Sequence, residues 1–260
     1  MKIKNSTMLL GAVMGLLSVQ AVSADIVKVG IAAEPYPPFA SADAAGTWQG
    51  WEIEMIGAIC TAAEIDCEIT PVSWDGIIPA LTSKKIDMIM ASMSITAERS
   101  KTIDFSNKYY NTPASIVGDK GIEMDATPDG LSGKILGVQA GTIDREYALK
   151  HFAPVVDQIK EYQTQDEANQ DLAAGRIDAT QADSLALATF VESEQGQSCC
   201  EFKGDVAGDV DILGPGVGVG LRKGEDELKA KLNNAIAAIR ENGEYTTISE
   251  KYFNFDIYGE

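Results

Sequence analysis

Apolar residues recur along this chain with two periods, and the two periods take turns. Val27, Val29 and Ile31 alternate with Lys28 and Gly30, which predicts a strand over 26–31. Over 50–65, Ile53, Ile56, Ile59, Cys60 and Ala63 fall at helical spacing. A second strand is predicted over 67–72. A short helix follows over 76–84, with Pro79 in its first turn, where a missing N–H is tolerated. A third strand is predicted over 86–90. This β-α-β-α-β order argues for an α/β protein with a mostly parallel sheet covered by helices.

A strand over 115–117 and a turn-rich stretch over 118–133 lead into a second set. It has a strand over 134–138, a helix over 142–152, a helix over 164–174 and a strand over 177–180. Thr164 and Glu167 have the spacing of a capping box, and Gly175 ends that helix. The polar stretch 192–211 reads as loops or an edge hairpin. A strand over 217–221 then precedes a helix over 225–241, whose stripe is Leu228, Leu232, Ala235, Ile236 and Ile239. Acids crowd its start, and Asn242-Gly243 stops it. The junction of the two sets falls near Asn111-Thr112-Pro113. The patterns do not assign the tail to either set.

Residues 1–24 read as a secretory signal: Lys2 and Lys4, an uncharged apolar run over 8–19, then Val22-Ser23-Ala24 ahead of a cut before Asp25. That run is shorter than the roughly 20 residues that span a bilayer. The expectation is an exported, soluble protein with no direct membrane insertion. Formal net charge is −18, and losing Lys2 and Lys4 takes it to −20, which makes nucleic acid a poor partner. One histidine, His151, leaves no basis for a His-rich metal site, and neither metal nor cofactor is expected. Export permits disulfides. A bond from Cys60 to Cys67 would clip a helix end to the next strand, although four cysteines allow three pairings. Cys199 and Cys200 are adjacent and can bond only in a strained local geometry.

Candidate chemistry gathers where strands end, which in open α/β sheets is where ligands bind. Ser92-Met93-Ser94 and Arg99 follow one strand, with Thr96 a plausible helix cap; Arg99 is a planar fork suited to a carboxylate, or simply a solvated surface cation. Thr142 opens a helix after another strand, where free N–H groups favour an anion or ordinary capping. Asp183 follows a strand and could hold an ammonium or cap a helix. Glu34, Tyr36 and Trp74 also follow strands, and an aromatic there can flank a ligand or pack in the core. Glu52 lies at a helix start, where the dipole alone favours an acid.

Together these positions resemble the solute-binding proteins of polar amino acid ABC transporters, especially the lysine/arginine/ornithine- and histidine-binding ones. The resemblance rests on Tyr36-Pro37-Pro38-Phe39, Gly50-Trp51-Glu52-Ile53-Glu54, Trp74-Asp75-Gly76-Ile77-Ile78-Pro79-Ala80-Leu81, Lys85-Ile86-Asp87, Ser92-Met93-Ser94-Ile95-Thr96 with Arg99, Ala174-Gly175-Arg176-Ile177-Asp178, Gly218-Val219-Gly220-Leu221-Arg222-Lys223 and Lys251-Tyr252-Phe253-Asn254-Phe255. It implies a two-lobe clamshell, with 25–112 and 213–260 in lobe I, 113–212 in lobe II and two crossing strands between them. It implies that Arg99 grips the ligand α-carboxylate with N–H groups near Ser94 and Thr142. Asp183, Ser94 and the Ser92 carbonyl would hold the α-ammonium, Tyr36 and Trp74 would flank the side chain, and Glu52 would face it with Glu34 as a second acid. One extra residue precedes Tyr36 and shifts Glu34 from the family register. The Cys60–Cys67 spacing also looks like the disulfide of the lysine/arginine/ornithine branch. The implied protein is a periplasmic monomer that binds a free amino acid, with a basic side chain, and meets a membrane-embedded permease. The competing readings on the same fold are an enzyme similar to cyclohexadienyl dehydratases and a ligand sensor.

Overall fold

A computed structural model describes residues 26–259, so the expected signal segment lies outside the described residues. The chain starts with β1 (Val27–Ala32), a small hairpin of β2 (Ser41–Ala42) and β3 (Trp48–Gln49), α1 (Trp51–Ala62), β4 (Cys67–Val72), α2 (Ile77–Thr82), β5 (Met88–Ile89), α3 (Arg99–Thr102) and β6 (Asp104–Tyr110). It crosses at 111–113 and builds β7 (Ala114–Asp119), β8 (Ile135–Gln139), α4 (Ile143–His151), β9 (Gln158–Tyr162), α5 (Gln165–Ala173), β10 (Ala179–Asp183), α6 (Ser184–Glu192), α7 (Glu194–Cys199), β11 (Cys200–Asp205) and α8 (Val210–Leu213). It returns as β12 (Val217–Leu221) and ends in α9 (Asp226–Glu241) and α10 (Glu244–Ser249).

Two open five-stranded sheets result, ordered β4-β1-β5-β12-β6 and β11-β7-β10-β8-β9. Each is covered by helices and each is mixed rather than parallel throughout. The α/β units pair in parallel, β1 with β4 and β5, and β8 with β9 and β10. The strands next to the crossings, β6, β7 and β12, pair antiparallel, because the chain reverses direction there without a helical crossover. β12 sits between β5 and β6, so the tail strand completes the first sheet.

Local signals explain most elements. α9 buries Leu232, Ala235, Ile236 and Ile239, and Leu228 packs on the same core. Thr164 and Glu167 form the reciprocal capping box of α5. Both disulfides are made: Cys60–Cys67 ties the end of α1 to β4 with Cα atoms 6.2 Å apart, and Cys199–Cys200 joins neighbours where α7 meets β11. The polar stretch 192–211 is not a hairpin: it holds α7 and an edge strand, β11, whose partner β7 lies far back in the sequence. Strands β6 and β9 and helix α6 carry no clear periodic pattern. β6, for example, buries Ser106 among its apolar positions, which breaks the alternation.

An aromatic cluster anchors the first sheet's helices. Trp51 is fully buried, packs on Phe39, Tyr109, Tyr110, Tyr245 and Phe253, and donates its indole N–H to Ser249 Oγ at 3.0 Å. This fixes the first turn of α1, and with it the neighbouring Glu52. Among the described residues, no helix is long and apolar enough to cross a membrane, and no cluster of His, Cys, Asp and Glu could hold a metal.

Candidate functional site

A cavity of about 420 Å³ lies between the two sheets, and residues at the carboxyl ends of strands from both line it. From the first sheet come Glu34 and Tyr36 after β1, Trp74 after β4, Ser92 and Ser94 after β5, and Arg99 at the start of α3. From the second come Gln139 at the end of β8, Thr142 just after it, Asp144 in α4 and Asp183 at the end of β10.

Arg99 is held in place from both sides. Its backbone N–H donates to Thr96 Oγ1 at 3.1 Å, so Thr96 does cap the turn. Its guanidinium donates to the Ser94 carbonyl at 3.0 Å and to the Gly141 carbonyl, across the cleft, at 3.4 Å, and sits 5.4 Å from the Trp74 ring centroid. Burial lowers its pKa to about 10, with Asp144 pulling the other way. This is a partly buried, oriented cation suited to a carboxylate. Gly141 has φ +69°, and a Cβ there would sit 3.3 Å from Trp74 Nε1, so a side chain would crowd this approach of the two lobes.

Thr142 caps α4, accepting from the Arg145 N–H at 3.2 Å and donating to the Gln139 carbonyl at 2.7 Å. Asp183 takes the helix-cap role and also reaches the crossing segment. Oδ1 caps α6 by accepting from the N–H groups of Leu185 (2.8 Å) and Ala186 (3.3 Å), while Oδ2 accepts from the Thr112 hydroxyl on the crossing segment. Burial pushes its carboxyl above the ordinary range, and these donors pull it back in part.

Two expectations change. Glu52 lines the cavity but its oxygens are occupied. Oε1 accepts from the Ser92 N–H at 2.8 Å and from the Tyr109 hydroxyl, and Oε2 accepts from the Ser92 hydroxyl at 3.1 Å. Ser92 has φ +53°, a left-handed conformation costly for a side chain, and Glu52 is the group that holds it there. Glu52 therefore shapes the cleft floor instead of presenting an open charge. Met93 is not in the lining at all: it is 1% exposed and packs with Ile77, Leu81 and Phe105. Ser92 and Ser94 line the cleft while Met93, between them, enters the core.

Tyr36 stacks on Phe39 with centroids 5.6 Å apart, and Glu34 accepts the Trp74 N–H at 3.2 Å, steadying that ring's backbone. Burial first, then Asp183, Asp144 and Glu52, push the Tyr36 phenol up, so it stays neutral. The cavity also contains Asp144, which the sequence did not mark. Burial, chiefly, pushes its carboxyl up to about 6. An acid in a first helical turn ordinarily serves the dipole, and nothing local distinguishes this one.

Two lobes that face each other across a buried cavity, with a cation from one and carboxylates from the other, define a clamshell binding protein. Residues 27–255 match the family of bacterial extracellular solute-binding proteins, family 3, and the chain belongs to it. The match places it among binding proteins, not enzymes. It is 41% identical over 254 residues to an L-arginine-binding protein of Pseudomonas aeruginosa, covering 96% of this chain and 97% of that one. It is 38% identical over 234 residues to a histidine-binding periplasmic protein of Salmonella typhimurium, covering 89% and 90%. Among solved structures, an ancestral arginine-binding protein bound to arginine superposes with a TM-score of 0.80 at 33% identity, covering 88% of this chain and 98% of that one.

Proposed function

We propose that the protein captures a free basic amino acid, arginine, lysine or ornithine, between its lobes and hands it to an ABC transporter permease. It acts as a monomer in the periplasm, after removal of residues 1–24. Lobe I comprises 25–112 and 213–260, and lobe II 113–212. The observation that carries this reading is the presence of partly buried Arg99 and partly buried Asp183, from opposite sheets, in the lining of one cavity, the charge pattern a zwitterion needs. Arg99 takes the α-carboxylate with N–H groups near Ser94 and Thr142. Asp183, Ser94 and the Ser92 carbonyl take the α-ammonium. Tyr36 and Trp74 flank the side chain, with Glu34 behind Trp74. A ligand that touches both lobes stabilises the closed form, because the open form offers it only half of these contacts. The similarity to binding proteins for arginine and histidine supports a cationic ligand.

Titration calorimetry on protein stripped of ligand tests this. One-to-one binding of L-arginine, L-lysine or L-ornithine is expected. Asp183→Asn, which preserves the cap on α6, weakens it by roughly 100-fold or more, because truncating one partner of a buried charge pair costs several kcal/mol. Near-native affinity in that variant overturns the role of Asp183.

A further inference from the structure

Five acids line the cleft: Glu34, Glu52, Asp144, Asp183 and Asp209. Four have close donors. Glu34 has the Trp74 N–H, Glu52 has Ser92 and Tyr109, and Asp183 has Thr112 and the start of α6. Asp209 has Lys150 Nζ and His151 Nε2, each at 2.7 Å. Asp144 is different. It is 9% exposed, and among the described residues its one side-chain donor is Gln181 Nε2, at a long 3.3 Å. Gln181 is itself fully buried, and its Oε1 has no hydrogen-bond partner. The two side chains thus form a polar patch beside the cavity that the protein leaves under-satisfied.

A buried carboxylate without a matched cation is costly, and a ligand that brings the cation removes the cost. On the reading above, which this inference deepens, Arg99 and Asp183 are already engaged by the ligand's α-groups. Glu52 is saturated by the cleft floor and Asp209 by its own ion pairs. We propose that Asp144, steadied by Gln181, is the counter-ion for the positively charged side chain of the ligand and selects a cationic amino acid over a neutral one of the same shape. The raised Asp144 carboxyl agrees with this under-compensation, and its field reaches Tyr36, one of the rings assigned to the ligand side chain.

L-Arginine and L-citrulline test the idea, because they share the α-groups and nearly the same length while only arginine carries the distal charge. In calorimetry at pH 7.5, Asp144→Asn is expected to weaken arginine by about 30-fold or more and citrulline by less than about 3-fold. Gln181→Leu, removing the positioning contact, shifts the same ratio in the same direction by a smaller factor. Equal losses for both ligands would mean that Asp144 acts on the shared α-end through Arg99, and would overturn the inference. So would an unchanged arginine affinity, with the proposed function intact. A wild-type protein that binds neither amino acid would overturn both.

Discussion

Ligand-free Asp144→Asn protein should be more stable than wild type at neutral pH, and the gain should vanish in acid. Burial lifts the Asp144 carboxyl from its ordinary 3.8 to about 6, with Arg99 and the Gln181 donor too weak to offset it. The folded state therefore binds more protons than the unfolded chain between about pH 4 and 6, and unfolding free energy falls as pH rises through that window. Below it both states are protonated and there is no penalty. Above it the penalty is complete. At ~1.4 kcal/mol per unit, the shift corresponds to about 3 kcal/mol. Asparagine stands in for the neutral acid: it removes the charge and keeps an acceptor for Gln181 Nε2. Urea unfolding of stripped wild type and variant, followed by tryptophan fluorescence, should give a gain of about 3 kcal/mol at pH 7.5 and only about 0.5 kcal/mol at pH 4. A variant less stable than wild type at pH 7.5, or a gain of the same size at both pH values, refutes the reasoning. Cells would tolerate such a penalty if the ligand removes it, since a group that weakens the empty protein and is neutralised on binding adds directly to selectivity.

Two further outcomes follow from the fold. Replacing Cys60 and Cys67 with serine opens a loop with a sequence separation of 7, and chain entropy puts the loss at roughly 2.5 kcal/mol, readable by urea unfolding. Gly214→Ala should lower the melting temperature sharply: Gly214 has φ +77°, and a Cβ there would meet the Ile95 carbonyl oxygen at 2.0 Å. Gly224→Ala, with φ +83° but open space around it, is the matched control and should cost only about 1 kcal/mol; equal losses at both would remove the steric argument.

Much of the molecule was readable along the chain. The stripe of α9, the capping box of α5 and the bond from Cys60 to Cys67 depend on residues a few positions apart, so spacing reveals them. β6 was hidden because Ser106 is buried and donates to the Asn107 carbonyl while accepting the Val219 N–H, a polar partnership that alternation cannot express. α6 was hidden because its cap, Asp183, can also be read as a cleft acid, and no clear apolar stripe follows it.

Residue type and local order were thus determined by the sequence itself: which side chains carry charge, which strands end beside them, and which helices they open. What only the tertiary structure decided is which of the cleft's acids remain open. Glu52 and Asp144 look alike on paper, each an acid in a first helical turn. Glu52 is closed by Ser92 and Tyr109, which lie 40 and 57 residues away, while Asp144 has, besides its own backbone N–H, one side-chain amide 37 residues on. A carboxylate's availability depends on how many donors reach it, and in this fold most of those donors come from distant parts of the chain.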